Sequence, residues 1–149
     1  MRVLFVCTGN RARSQMAEGW ARHLAPPGVE ALSAGTVPNP NGVHPRAVEV
    51  MRERGVDISG QRTKSLDVLA PGFDFVITVC AEADAACPTL PARIQRLQWH
   101  LPDPDRAGVG EEEERKFFRQ TRDELERRVR ALFSDAAFLK LLEPTKAAQ

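Results

Sequence analysis

The stretch that decides the fold is Met1-Arg-Val-Leu-Phe-Val-Cys-Thr-Gly-Asn-Arg-Ala-Arg-Ser14. Its first seven residues form a short run of β-branched and aromatic residues that ends at once in Thr8-Gly-Asn10. This pattern predicts a buried strand over 1–7, followed by a tight turn. From Ser14 onward, apolar residues recur at helical spacing until Pro26-Pro-Gly28. The segment is therefore predicted to be a strand, a turn and a helix.

The same patterns continue along the chain. Past the first helix the predicted elements are strand 30–34, helix 45–55, a short helical turn at 66–69, strand 73–80, strand 93–99 and a long helix from about 112 to 142. Strands separated by helices form parallel sheets covered on both faces, which predicts an α/β fold. Ligands of such sheets bind beyond the carboxyl ends of the strands, where both Cys7 and Cys80 are expected.

Composition limits the classes of function. The 149 residues predict a single catalytic domain, 1–149. With 21 Lys and Arg against 20 Asp and Glu, the net charge of +1 gives no reason to expect a nucleic-acid or membrane partner. The apolar runs are far shorter than the roughly 20 residues that a bilayer span needs, and a cytoplasmic location is expected. Three cysteines are too few for a secreted disulfide framework, so they are expected to be core residues or reactive thiols.

The loop between the first strand and helix has the parts of an oxyanion site. Backbone N–H groups at the start of a helix attract a tetrahedral anion, and Arg13 offers a planar fork of donors. Gly9 is expected to adopt a conformation that a Cβ would resist. The same field is expected to lower the pKa of Cys7 and make it a thiolate at neutral pH, with Ser14 donating a hydrogen bond to it. The predicted oxyanion-binding residues are Thr8, Gly9, Asn10, Arg11, Ala12, Arg13 and Ser14. The alternative is a Cys7 that only fills the core.

These residues, followed by Gln15-Met-Ala-Glu-Gly19, resemble the phosphate-binding loop of low-molecular-weight protein tyrosine phosphatases. They are more similar still to the arsenate reductase relatives of that family that are coupled to thioredoxin. The likeness extends through Ser33-Ala-Gly35, Asp57-Ile-Ser59, Val79-Cys80, Cys87-Pro88, Asp103-Pro104 and Arg122-Asp-Glu124. It implies three layers, with a four-stranded parallel sheet flanked by helices. It also implies a nucleophile at Cys7, an anion-binding arginine at Arg13 and a proton donor at Asp103.

Cys80 and Cys87 separate two possible activities. Hydrolysis through a covalent intermediate needs one thiolate and an acid, whereas reduction also needs two electrons, which a dithiol supplies. We predict that Cys7 attacks arsenate, that Cys80 then attacks Cys7 and releases arsenite, and that Cys87 finally attacks Cys80. The resemblance implies the same relay, with thioredoxin closing the cycle. If 81–86 is helical it must unwind, because Cys80 and Cys87, seven residues apart, then lie about 10 Å apart along the axis and a disulfide spans about 7 Å at most.

Two other functions remain open at this point. One is hydrolysis of phosphomonoesters through Cys7, and weak phosphatase activity is expected in any case because the loop cannot separate phosphate from arsenate sharply. The other is a sensor of oxyanions or redox state without turnover. Asp105 stands where tyrosine phosphatases of the family carry a tyrosine, and the chain contains no tyrosine, which favours a small oxyanion. Asp84 and Asp105 are alternatives to Asp103 as the acid. Asp103 could instead serve only as a turn residue.

No metal and no cofactor is predicted. Some related reductases hold a potassium ion beside the anion loop, using an acidic residue after the Ile-Ser pair, where this chain has Gln61-Arg-Thr-Lys64. The ammonium of Lys64 is expected to occupy the same space and to fix Asn10 or Ser33. His44, directly before Pro45, is predicted to be a loop residue.

Overall fold

The computed structural model describes residues 1–86 and 90–143. The first element of the described part is strand β1, and the last is helix α5. The elements are β1 (Arg2–Cys7), α1 (Arg13–Leu24), β2 (Glu30–Gly35), α2 (Pro45–Arg52), a 3-10 turn (Leu66–Val68), β3 (Phe75–Thr78), α3 (Ala81–Ala86), β4 (Gln95–Gln98), α4 (Glu111–Ser134) and α5 (Ala136–Leu141).

The four strands form one parallel sheet in the order β2-β1-β3-β4. Strand β1 lies inside it and is buried from Val3 to Cys7, as a strand covered on both faces must be. Helices α1, α2 and α4 pack against one another, while α3 packs against β1 and β3. The predicted three-layer α/β fold, a four-stranded parallel sheet flanked by helices, is confirmed. The strands at 73–80 and 93–99 are shorter than predicted.

The register of the sheet fixes where the site lies. Cys7 pairs with Gly35 at the end of β2, and Val6 pairs with Thr78 at the end of β3. All carboxyl ends of the strands therefore meet at one edge, which we call the carboxyl edge. Cys80 lies two residues past β3, and its sulfur is 3.6 Å from the hydroxyl of Thr8. The prediction that Cys7 and Cys80 share this edge is confirmed.

The prediction of one long helix over 112–142 is wrong. Asp135 adopts an extended conformation, with φ −68° and ψ 127°, and its side chain accepts a hydrogen bond from the N–H of Phe138. The aspartate therefore ends α4 and caps α5. The break allows the ring of Phe138 to pack at 5.2 Å from Phe75 and 5.4 Å from Phe133. Packing of one aromatic side chain outweighs the continuation of a helix.

One charged residue on α4 belongs to the core. Arg122 is buried, and its guanidinium donates to the carbonyl of Val50 and to Glu53, while its own carbonyl accepts from the indole of Trp20. These bonds join α4 to α2 and α1. The buried side of α4 also includes Phe118, Thr121, Leu125, Val129 and Phe133. Within the described ranges, no helix combines the length and apolarity that crossing a membrane requires.

Substituting Gly35 by alanine is expected to damage both stability and the site. A Cβ there would lie 2.6 Å from the carbonyl oxygen of Thr8 and 3.0 Å from the backbone N of Asn10, so the loop backbone would have to move. Overpacking of this kind costs about 1–3 kcal/mol, which urea unfolding would measure. Gly60→Ala is the matched control, because a Cβ there meets no atom within 4 Å. Equal stabilities of the two variants would contradict the expectation.

Candidate active site

A cavity of about 230 Å³ opens at the carboxyl edge above Cys7. The loop between β1 and α1 forms its floor, and the segments that follow β2 and β4 contribute to its walls. Its lining residues are Cys7, Thr8, Gly9, Arg11, Ala12, Arg13, Asn39, His44, Asp103 and Asp105. The structure thus brings together most residues that the sequence predicted for the site. Asn10 and Ser14, also predicted, lie fully buried behind the loop.

The conformation of the loop depends on Asn10 and not on Gly9. Among the described non-glycine residues, only Asn10 has a left-handed backbone, with φ 51°, a region that asparagine tolerates better than most residues. Gly9 has no such φ, and a Cβ there would meet its nearest neighbours at 3.7 and 3.9 Å, which is ordinary contact. The conformational role predicted for Gly9 is therefore wrong. The glycine that the loop requires is Gly35, behind it.

Burial raises the pKa of the Cys7 thiol above its ordinary value. Hydrogen bonds with the Ser14 hydroxyl, at 2.8 Å, and from the Asn10 backbone N–H, at 3.1 Å, oppose this effect because they stabilise the thiolate. Burial is the largest of these effects, and the thiol of Cys80 adds to it. The direction of this shift is opposite to the predicted lowering of the Cys7 pKa, because burial outweighs the hydrogen bonds.

A chain of hydrogen bonds runs from Cys7 into the protein interior. The amide nitrogen of Asn10 donates to the hydroxyls of Ser14 and Ser33, at 2.8 and 3.0 Å. Ser33 in turn donates to the carboxylate of Glu18 at 2.8 Å. Because Ser14 accepts from Asn10, its own proton is free for the sulfur. The chain thus aims a hydroxyl donor at Cys7.

At the far end of this series of hydrogen bonds, the buried carboxylate of Glu18 lies beside two cations. Glu18 is 1% exposed, with Arg22 at 3.0 Å from one oxygen and the ammonium of Lys64 at 3.5 Å from the other. Burial lowers the pKa of Lys64, and Glu18 opposes that shift. The backbone N–H of Lys64 also donates to the side-chain oxygen of Asn10 at 2.9 Å. The prediction that the ammonium of Lys64 fixes Asn10 or Ser33 is therefore wrong, because the backbone N–H of Lys64 holds Asn10 while its ammonium pairs with Glu18.

Arg13 lies on the wall of the cavity opposite the loop backbone. One terminal nitrogen donates to the carbonyl of Leu101 at 2.9 Å, and the other lies 3.6 Å from Asp103. The second oxygen of Asp103 accepts from the backbone N–H of Asp105 at 3.0 Å, which holds the carboxylate in place. Both aspartates are about half exposed, so they form the rim of the cavity.

Sequence reasoning missed His44 as a residue of the cavity. It is buried and caps α2, with its Nδ1 accepting from the backbone N–H of Arg46 at 3.0 Å. The neutral ring therefore carries its proton on Nε2, which lies 3.7 Å from Asp105. Burial, reinforced by Arg11, lowers its pKa. The available signal was a histidine just before a helix that begins with proline, a position typical of caps.

The structure places the second cysteine of the predicted relay but not the third. Cys80 is fully buried and accepts from the backbone N–H of Ala83 in the first turn of α3. The residues of α3 are helical, as the unwinding argument assumed. Cys87 lies outside the described residues.

Several known proteins of similar sequence or fold are arsenate reductases. An arsenate reductase of Bacillus subtilis (strain 168) is 40% identical over 129 residues, covering 86% of this chain and 91% of that protein. A solved arsenate reductase in its phosphate-binding state is 32% identical, with a TM-score of 0.71 over 89% of this chain and 96% of that one. The thioredoxin-dependent arsenate reductase of Corynebacterium glutamicum is 31% identical, with a TM-score of 0.69, covering 89% of this chain and 60% of that one.

The family profile described as low molecular weight phosphotyrosine protein phosphatase matches residues 2–143. That match includes the loop after β1, both rim aspartates and the helices that cover the sheet. The chain therefore belongs to the low molecular weight phosphotyrosine protein phosphatase family.

Proposed function

We propose that this chain is an arsenate reductase that uses a relay of three cysteines and is regenerated by thioredoxin. The observation that carries the proposal is the placement of two thiols at one edge. Cys7 forms the floor of an oxyanion pocket, and Cys80 lies buried beside Thr8 of the same loop. Relatives of about 40% identity are arsenate reductases, and one solved neighbour is thioredoxin-dependent, which supports this proposal.

In the first step the sulfur of Cys7 forms a bond to arsenic and one oxygen leaves as water. For the monoanion, Cys–SH and H₂AsO₄⁻ give Cys–S–AsO₃H⁻ and H₂O, so no external proton is consumed. Because burial raises the pKa of Cys7, its proton passes to the incoming oxyanion as the thiolate attacks. The hydroxyl of Ser14 stabilises that thiolate, and Arg13 and the loop N–H groups hold the oxygens. Asp103 protonates the leaving oxygen and recovers a proton from the arsenic-bound hydroxyls, so the step stays balanced.

In the second step Cys80 attacks the sulfur of Cys7. The S–As bond breaks, its electron pair stays on arsenic, and the products are a Cys7–Cys80 disulfide and H₂AsO₃⁻. Two electrons have moved from the thiols to arsenic, which falls from the pentavalent to the trivalent state. A phosphorus adduct is not reduced in this way and is hydrolysed instead.

In the third step Cys87 attacks Cys80, which frees Cys7 and leaves a Cys80–Cys87 disulfide for the dithiol of thioredoxin to reduce. The six-residue helix α3 must unwind for this bond to form. Only α3 and the neighbouring loop need to move, because Cys80 lies past the end of β3. The sheet that carries Cys7 stays unchanged.

Hydrolysis of phosphomonoesters is the second candidate function. The same loop and acid serve it, and the family is named for it. The rim favours arsenate as the main substrate, because two carboxylates stand at the mouth and the chain has no tyrosine to stack on an aromatic ester. We therefore expect a weak phosphatase activity beside the reductase activity.

The variants Cys7→Ser, Cys80→Ser and Cys87→Ser separate these functions. Each is expected to abolish arsenate reduction coupled to thioredoxin, because each removes one thiol of the relay. Only Cys7→Ser is expected to abolish hydrolysis of p-nitrophenyl phosphate, which needs the nucleophile alone. Consumption of the nicotinamide cofactor by thioredoxin reductase reports the first activity, and release of nitrophenol reports the second.

The phosphatase assay is also the folding control for Cys80→Ser and Cys87→Ser. Parallel loss of both activities in all three variants would indicate structural damage and contradict the relay. Binding of phosphate without turnover of either substrate would indicate a sensor. If the unchanged protein hydrolyses p-nitrophenyl phosphate but does not reduce arsenate, the phosphatase alternative is correct.

Removing the hydroxyl of Ser14 is expected to make Cys7 less reactive. The hydrogen bond from Ser14 stabilises the thiolate, so Ser14→Ala raises the pKa of Cys7 further and lowers the thiolate fraction at any pH below it. A hydrogen bond to a charged group contributes about 1.5–3 kcal/mol, so alkylation of Cys7 by iodoacetamide should slow about tenfold or more. Ser134→Ala, at an exposed serine outside the cavity, is the control. A rate equal to that of the control would contradict the role of Ser14.

Activity and thermal stability are expected to be the same in KCl and NaCl at equal ionic strength. The ammonium of Lys64 already provides the positive charge beside Glu18, so a potassium ion has nothing to neutralise. Lys64→Asp is the matched variant, because it replaces the ammonium with a carboxylate that can ligate a cation, and its melting temperature should become higher in KCl than in NaCl. Activation of the unchanged protein by potassium would contradict this prediction.

A further inference from the structure

Two rim side chains that the proposed chemistry does not use face each other across the mouth of the cavity. Arg11 lines the cavity, and its guanidinium lies 3.7 Å from Oδ2 of Asp105. The other oxygen of Asp105, Oδ1, lies 3.7 Å from Nε2 of His44. Asp105 thus stands between a cation and an N–H group. Because the separation from Arg11 exceeds hydrogen-bond length, this pair opens without breaking a hydrogen bond.

Arg11 also carries a donor without an acceptor. Its Nε is buried and, within 1–86 and 90–143, has no hydrogen-bond partner. A buried N–H group without an acceptor is unfavourable, so an acceptor that enters the cavity is drawn to it. The cavity beside Arg11 is the one whose floor is Cys7, and the acceptor that belongs there is an oxygen of the bound oxyanion.

We propose that Arg11 is a second oxyanion-binding side chain and that Asp105 competes with the oxyanion for it. This inference rests on the proposed function, because it assumes that the pocket binds a tetrahedral oxyanion. In the free protein Asp105 neutralises Arg11, as Asp103 neutralises Arg13 at 3.6 Å. When the oxyanion enters, the guanidinium of Arg11 leaves the carboxylate and donates to the ligand.

The competition gives the pocket a way to release its product. At neutral pH the H₂AsO₃⁻ that forms takes up a proton from water and becomes neutral H₃AsO₃, whereas arsenate stays an anion, so the product holds a guanidinium less strongly. Asp105 then recovers Arg11, and the exchange favours departure of the reduced product over retention. His44 stays beside Asp105 during the cycle, because the bond from Arg46 fixes its tautomer and leaves its Nε2–H 3.7 Å from the carboxylate.

A double-mutant cycle with inorganic phosphate as the probe tests the proposal. The dissociation constant of phosphate is measured by calorimetry for the reduced full-length protein and for Asp105→Asn, Arg11→Gln and the double variant. We expect Asp105→Asn to bind phosphate about fivefold more tightly and Arg11→Gln about tenfold more weakly, since close charge contacts have effects of this size. In the Arg11→Gln background, Asp105→Asn should lose most of its effect, because its competitor is gone.

Two outcomes would overturn the proposal. If Asp105→Asn strengthens binding equally with and without Arg11, the carboxylate acts by general repulsion and not by competition. If Arg11→Gln leaves the dissociation constant unchanged, Arg11 does not bind the oxyanion. Should Arg11→Gln fail to fold, Arg11→Lys replaces it, since lysine keeps the charge and lacks Nε, and it should still bind more weakly than the unchanged protein.

The pair Arg52 and Asp57 is the matched control. Its charges lie 3.8 Å apart and are exposed, with Arg52 at the carboxyl end of α2 and Asp57 beyond it, whereas His44 of the cavity caps the other end. Arg52→Gln and Asp57→Asn should leave phosphate binding unchanged, and an equal effect there would overturn the proposal. Phosphate binding requires neither arsenate turnover nor thioredoxin. If arsenate reduction fails while the double-mutant cycle gives the expected result, the proposed function is wrong. If the double-mutant cycle fails while arsenate reduction proceeds, the competition between Asp105 and the oxyanion is wrong.

Discussion

The hydrogen bonds of the Asn10 side chain are the constraint on which the site depends. Its nitrogen donates to Ser14 and Ser33, and its oxygen accepts from Gln15 and from the backbone of Lys64. These partners come from three different segments, so one buried amide ties the loop to the helix and the sheet behind it. All four bonds are satisfied, which gives the amide one orientation. They also hold a left-handed backbone that would otherwise be unfavourable.

Above the loop, the cavity is organised by balanced charge. Two arginines and two aspartates alternate around the mouth, and each guanidinium has a carboxylate within 4 Å. Below it, Cys7 is buried deeply enough that its pKa rises. The free pocket is therefore close to neutral, and a charged oxyanion is the component that it lacks. Under the proposed function, binding of the anion and activation of the thiol become one event, because the ligand both occupies the arginines and accepts the proton.

Much of the fold was predictable because its signals are local. An apolar run cut off by a turn marks β1, and apolar residues at helical spacing mark α1. The break at Asp135 was not predictable, because it is favoured by the contact of Phe138 with Phe75, a residue distant in sequence. The burial of Arg122 was missed for the same reason, since the spacing of charges along α4 indicates a solvated face.

For the site, the sequence by itself determined which reactive groups are present and at which ends of the strands and helices they lie. A cysteine at the end of a buried strand, followed by a turn and an arginine in the first turn of a helix, places a thiol beside backbone N–H groups and a guanidinium through short-range geometry alone. Tertiary structure decided the burial of Cys7 that raises its pKa, the pairing of Glu18 with Lys64, and the meeting of Arg11, Asp105 and His44. The physical reason is that burial and charge contact depend on distances between segments far apart in the chain. Sequence spacing does not specify those distances until the sheet has brought the segments together.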